Sequence, residues 1–160
     1  MGCGKSSVGR CLSELLCCPF MDLDAVIEES QGRSIPDIFA AEGEAAFRQM
    51  EVEALSRIIE AQQLRGNVVV ALGGGAVMTP ECAELVRKKA HCIYLRASVD
   101  TLVSHLENEA AGRPMLQGAS LRSRIEELMA LRSSTYEATA HDVIDTDGKT
   151  VEEVAAEIKF

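Results

Sequence analysis

Apolar residues recur at helical spacing through most of the chain, interrupted by short runs that are apolar almost throughout. Val8, Leu12 and Leu15 place a helix over residues 5 to 16. Pro19 breaks it, and Phe20–Asp22 reads as a short strand, with Asp24 placed to cap a helix over 25 to 31. Ser34 and Asp37 have the spacing of a capping box at the start of the next helix. Phe47, Met50, Ala54 and Ile58 mark an amphipathic helix from Glu44 to about Gln62. Gly66-Asn67 then turns into Val68–Leu72, a β-branched run of the kind found in buried parallel strands. Thr79-Pro80 opens a helix, His91–Leu95 reads as a strand, and Ser98 caps the helix after it. Residues 109 to 120, rich in small residues with Gly and Pro, read as a mobile loop. Leu121 to about Ala138 returns to helix and Asp142–Asp145 to strand, and Thr150 with Glu153 forms a capping box at the last helix. This alternation predicts one α/β domain over 1–160, a three-layer α/β/α arrangement around a mostly parallel sheet.

Composition narrows the functional classes. With 160 residues, 47% hydrophobic and 26% charged, the chain can bury a core. Its 16 Lys and Arg against 25 Asp and Glu, a net charge of −9, should repel nucleic acid and anionic membranes. Aromatic residues are 4% with no Trp, too few for base-stacking platforms. The longest uncharged apolar run, Val68–Met78, covers 11 residues, whereas a membrane span takes about 20. The start at Met1 has no apolar signal-like region. Six cysteines without a Cys-x-x-Cys pair read as structural thiols in a reducing cytoplasm.

Four motifs carry candidate chemistry. Gly2-Cys3-Gly4-Lys5-Ser6, with Ser7 following, has the ending of a phosphate-binding loop: backbone N–H groups cradle phosphates, Lys5 reaches them, and Ser6 binds Mg²⁺. The same residues also fit a plain glycine turn before a helix. The full motif requires a glycine five residues before Gly4, two positions upstream of Met1, and a preceding central strand for which the chain has no candidate. We therefore expect the first strand to be missing and the loop truncated. Asp22 and Asp24, two apart at a strand end, place both carboxylates on one side, suited to a metal shell and to orienting a hydroxyl, or else to capping a helix. Gly73-Gly74-Gly75 directly follows an apolar strand, where open α/β sheets bind ligands, with a flexible strand-to-helix turn as the alternative. Arg48 and Glu51 share a helix face, as a surface ion pair would. Arg48, Arg113 and Arg132 together supply what an anionic substrate needs in an acidic chain.

In order, GCGKSSVGR (2–10), DLD (22–24), SIPDIF (34–39), GEAAFRQME (43–51), GGGAV (73–77), GRPML (112–116) and LRSSTY (131–136) resemble shikimate kinase over essentially the whole chain. The resemblance implies a nucleoside-monophosphate-kinase-like core of five parallel strands with an ATP lid at about 109–120. It implies ATP-dependent phosphorylation of the 3-hydroxyl of shikimate, with Mg²⁺, in a cytoplasmic monomer whose partners are small molecules. By the same resemblance, Lys5, Ser6, Gly2 and Gly4 bind ATP and Mg²⁺, and Asp22 holds the metal's water shell. Asp24 orients or deprotonates the attacking hydroxyl. Arg48 and Arg132 clamp the carboxylate, with Glu51 positioning arginine. Gly73, Gly74 and Gly75 line the acceptor site, where Gly74 and Gly75 offer backbone donors. Phe39 and Phe47 wall the ring, and Arg113 closes over the transferring phosphate. Leu106 falls where many members carry an adenine-stacking arginine, which makes Asp147-Gly148-Lys149 the candidate for adenine contacts. Two other readings remain at this stage: another small-molecule kinase of the gluconate type, and a catalytically impaired nucleotide-binding domain.

Overall fold

The computed structural model describes the backbone of residues 4–109 and 119–158. Eight α-helices and four strands alternate along them: α1 (Lys5–Leu15), β1 (Phe20–Asp22), α2 (Leu23–Gln31), α3 (Ile35–Glu42), α4 (Glu44–Arg65), β2 (Val69–Ala71), α5 (Pro80–Lys89), β3 (Ile93–Arg96), α6 (Val99–Glu109), α7 (Ala119–Thr139), β4 (Asp142–Asp145) and α8 (Val151–Glu157). One 3-10 turn, Ala76–Met78, joins the triple glycine to α5. The α/β class holds, and each predicted element is present with its ends shifted by a few residues. Of the predicted loop over 109–120, residues 110 to 118 lie outside the described residues, as do Gly2, Cys3 and Arg113.

Local chemistry accounts for the element boundaries. Gly4 sits at φ +78° ahead of α1, a left-handed conformation that glycine adopts without strain, and gives α1 no side-chain cap. The capping expectation at Asp24 needs correction. Asp22 caps α2, its Oδ1 accepting from the backbone N–H of Asp24 (3.0 Å) and Ala25 (3.3 Å). The chain turns into helix as soon as β1 ends, so the cap falls two residues earlier and leaves the Asp24 carboxylate for other work. Ser34 and Thr150 cap α3 and α8 as the spacing predicts, Thr150 within a complete capping box. Thr79 precedes Pro80 at the start of α5 but makes no side-chain cap.

The strands form two parallel pairs, β1 with β2 and β3 with β4, rather than one continuous sheet. Core packing is divided in the same way. Leu23, Ile27, Ile38, Phe47, Leu55, Cys82 and Val86 form one buried cluster beside the first pair. Val8, Ile144, Val154 and Ala155 join α1 and α8 to the second pair. Leu102, Val103, Leu121 and Ile125 hold α6 against α7. Val68, Val69 and Val70 are only half-buried, although their sequence suits a strand covered on both faces.

Gly9 lets α1 lie close to β1: a Cβ there would come within 2.6 Å of the Phe20 ring. Gly9→Ala should therefore destabilise the protein by about 1–3 kcal/mol in urea unfolding, the usual cost of overpacking a tight contact. Phe20→Leu should restore part of that loss. An unchanged midpoint for Gly9→Ala would show that the approach of α1 to β1 is not tight.

Candidate active site

The carboxyl ends of β1 and β2 bring distant parts of the sequence together. Lys5, in the first turn of α1, donates from Nζ to the carbonyl of Leu72 at 2.8 Å, so its ammonium sits where β2 gives way to the triple glycine. Ser6 Oγ donates to Asp22 Oδ2 at 3.3 Å. Since Oδ1 is engaged in capping, the Asp22 carboxylate serves α2 with one oxygen and faces Ser6 with the other. A hydroxyl and a carboxylate side by side are hard oxygen donors that fit Mg²⁺, which keeps several waters and takes few protein ligands. The uncapped first turn of α1 beside them offers backbone N–H groups to phosphate.

Each of the three glycines faces a different charged side chain. A Cβ on Gly73 would stand 2.9 Å from Asp24 Oδ1, one on Gly74 would be 3.0 Å from an Arg132 guanidinium nitrogen, and one on Gly75 would be 2.5 Å from Arg48. The absence of side chains at 73 to 75 thus allows an acid and two arginines to converge on one stretch of backbone. None of the three glycines has a positive φ, so close approach rather than backbone conformation selects glycine here.

Arg48 is fixed from several directions. It bonds Glu51 Oε2 at 2.9 Å and Glu44 Oε1 at 3.4 Å, and its guanidinium lies 5.3 Å from the centre of the Phe47 ring. Glu51 is 1% exposed, so the pair is anchored inside the protein rather than on its surface. Burial works against the Arg48 charge, but the bonds and attraction to Glu51 and Glu44 outweigh it and raise its pKa. Burial also raises the Glu51 pKa, opposed by Arg48. Phe47 is buried and Phe39 packs on it at 4.9 Å between ring centres while staying 36% exposed.

Asp24 is the electrostatic anomaly of the site. Its Oδ1 is buried and has no hydrogen-bond partner. Burial raises its pKa above the ordinary 3.8, repulsion from Asp22 adds to the rise, and the charges of Lys5 and Arg48 oppose it. A buried carboxylate oxygen without a donor costs stability unless a ligand supplies one.

Motif reading passed over one contributor. Tyr136, one helical turn beyond Arg132 on α7, donates its hydroxyl to the carbonyl of Gly74 and packs its ring 5.1 Å from that of Tyr94. The four-residue spacing in LRSSTY was the available signal, because it puts both side chains on one helix face. The other expected residues fall apart from this cluster or outside it. Gly2, Cys3 and Arg113 lie outside the described residues, and Ser7 is exposed on α1. Leu106 packs on the α6–α7 cluster. Asp147 accepts from the Ser98 N–H at 3.1 and 3.2 Å, and Lys149 pairs with Glu157 at 2.8 Å, so that loop is tied to α6 and α8.

Asp24→Asn separates stability from chemistry. The folded carboxyl holds its proton to higher pH than the unfolded one, so the Asp24 contribution to stability is present below 3.8 and is lost as pH rises from there through the raised folded value. Asparagine does not titrate. At pH 7 Asp24→Asn should be as stable as the parent or more so, by about 1 kcal/mol. The gap should narrow as pH falls toward 3.8. A variant less stable than the parent by the same amount at every pH would contradict the unpaired carboxylate.

Comparison with known proteins is consistent along the whole chain. The family model described as shikimate kinase matches residues 1–159. A shikimate kinase of Symbiobacterium thermophilum is 40% identical over 159 residues, covering 99% of this chain and 89% of that protein. One of Geobacter metallireducens is 44% identical over 158 residues, covering 99% and 85%. Among solved structures, shikimate kinase from Acinetobacter baumannii in complex with shikimate superposes with a TM-score of 0.85 at 32% identity, covering 98% of this chain and 85% of that one.

Proposed function

The chain belongs to the shikimate kinase family, and from that premise we propose how its residues divide the ATP-dependent phosphorylation of shikimate. The reaction uses ATP as co-substrate with Mg²⁺, and the relatives named as shikimate kinases favour it over a gluconate-type kinase or an impaired nucleotide-binding domain. The observation that carries the assignment of roles is the buried, partnerless Oδ1 of Asp24, within the influence of Lys5 and Arg48. A hydroxyl of the acceptor, which we take to be the 3-hydroxyl, supplies the missing donor. Asp24 then orients that hydroxyl and draws its proton as the oxygen attacks the terminal phosphorus of ATP, whose bond to the bridging oxygen breaks to release ADP. Its raised pKa brings the carboxylate closer to the basicity this task needs.

Arg48 and Arg132 approach neighbouring glycines and clamp the acceptor's carboxylate, with Glu51 fixing Arg48 so that little ordering remains for binding to impose. Gly73, Gly74 and Gly75 let the acceptor lie against bare backbone, and Phe47 with Phe39 walls the ring. Lys5, released from the Leu72 carbonyl, and the open N–H groups of α1 hold the phosphates, with Gly2, Cys3, Gly4 and Ser7 completing the loop. Ser6 and Asp22 would hold Mg²⁺, whose charge offsets the negative charge of the transferring group. Arg113 would add positive charge there. Catalysis on this reading is positioning plus charge stabilisation.

The site draws its side chains from α1, β1, α2, α4 and α7 around the glycine turn of one chain, which supports a single domain acting as a monomer. Among the described residues no helix is long and apolar enough to cross a membrane, and we place the enzyme in the cytoplasm.

Steady-state kinetics test the division of labour. Arg48→Ala and Arg132→Ala should each raise the KM for shikimate about tenfold or more, since a charge-assisted bond contributes about 1.5–3 kcal/mol, and leave the KM for ATP nearly unchanged. Asp24→Asn should lower kcat by about 10²–10⁴ with a smaller effect on shikimate binding. Gly75→Ala should act like Arg48→Ala, because its Cβ displaces the guanidinium. Arginine variants that weaken ATP and spare shikimate would overturn the acceptor assignment.

A further inference from the structure

We propose that Tyr136 is a positioning residue for the acceptor: its hydroxyl latches the central peptide of the glycine turn and keeps the Gly75 N–H presented to that substrate. This rests on the acceptor reading above and adds how the bare backbone is held in one orientation. Residues Gly73 to Ala76 form a β-turn, closed by the Ala76 N–H donating to the Gly73 carbonyl at 3.1 Å. Gly75 has φ −99° and ψ −3°, close to the about −90° and 0° of the third position in a type I turn. A type II turn keeps the same ends but rotates the central peptide, and it needs a positive φ at that third position. Glycine adopts such a φ without strain, so the residue at 75 leaves both forms open. The Gly74–Gly75 peptide is therefore the free joint of the loop.

Tyr136 selects one orientation of that joint. Its hydroxyl, on α7, donates to the Gly74 carbonyl, which is the oxygen of the central peptide. No peptide bond among the described residues is cis, and in a trans peptide the C=O and N–H point in opposite directions. Holding the Gly74 carbonyl toward α7 thus turns the Gly75 N–H away from α7. Gly75 is buried, yet among the described residues its N–H finds no acceptor. A buried N–H left unbonded is rare, and an oxygen of the bound acceptor satisfies it.

The latch is itself held in place. The Tyr136 ring packs against Tyr94 of β3 at 5.1 Å between centres, which restricts where the hydroxyl can go. Arg132, one helical turn earlier on α7, reaches the same glycine. A Cβ on Gly74 would stand 3.0 Å from its guanidinium and 3.5 Å from the Tyr136 hydroxyl. One helix face thus supplies both a cation for the acceptor and the group that orients the backbone beneath it. In the flipped turn the Gly74 carbonyl would replace the N–H and set an oxygen against the oxygens of the acceptor.

Tyr136→Phe tests the latch, because it removes one oxygen and keeps the ring against Tyr94. The KM for shikimate should rise about three- to tenfold, the usual effect of one lost hydrogen bond. The KM for ATP should stay unchanged, and kcat should change by less than about twofold. Tyr136→4-aminophenylalanine keeps a donor at the same ring position and should restore the parent KM. The residual dipolar coupling of the Gly75 amide, measured without substrate, reports the direction of its N–H bond. It should change in Tyr136→Phe and return to the parent value with 4-aminophenylalanine. An unchanged shikimate KM, an equal loss for ATP and shikimate, no rescue, or an unaltered Gly75 coupling would each overturn the proposal. An active parent beside an unaffected Tyr136→Phe refutes the latch alone. A parent that does not phosphorylate shikimate refutes the proposed function, and the substrate-free coupling then decides the latch.

Discussion

The site depends on bare backbone at Gly73, Gly74 and Gly75, toward which Asp24, Arg132 and Arg48 converge. A Cβ at any of the three would stand at 3.0 Å or less from a charged group, so side chains from α2, α7 and α4 can share this turn only because it has none of its own. Lys5 reaches the Leu72 carbonyl at the start of the same turn and Tyr136 holds the Gly74 carbonyl within it. Five side chains from four helices are thereby referenced to one short loop. Displacing that loop would disturb all five side chains together.

Charge is arranged there with unequal satisfaction. Glu51 is fully buried but paired, and its role is mechanical: it fixes Arg48 in one orientation, with Glu44 and the Phe47 ring as further restraints. Asp24 is half-buried with its buried Oδ1 left without a donor, and burial raises its pKa. On the proposed roles, a fully bonded Asp24 would stabilise the fold and make a poorer base. On the same proposed roles, the resting protein carries an unfavourable group that the acceptor hydroxyl relieves, a common relation between stability and activity.

The divided sheet sets the other physical limit. Each strand pair is parallel, and parallel ladders are ordinarily covered and continuous. Here the helices of the two halves meet through α1, which packs against β2 on one side and α8 on the other. The half-burial of Val68–Val70 follows from the open edge and not from their composition. A cleft beside them and the glycine turn share Lys5 and Leu72, so the edge of β2 and the first turn of α1 form one structural region.

Much of this was legible in the chain itself. Helical spacing, capping residues and β-branched runs are local signals, and they determined the order and type of every described element. The motifs pointed to the proposed chemistry, since Lys5, Asp24, Arg48 and Arg132 lie at positions matching one family's pattern. Their meeting point was another matter. Whether Arg48 and Glu51 form a surface pair or a buried anchor depends on what packs over that helix face, and only tertiary structure decided it. The cap at Asp22 instead of Asp24 turned on where β1 bends into α2. The contact of Tyr136 with Gly74 and the separation of the four strands into two pairs are relations between residues far apart in sequence. Periodicity and spacing report a residue's near neighbours along the chain, while packing across the fold decides which charges stay paired and which backbone edges stay open.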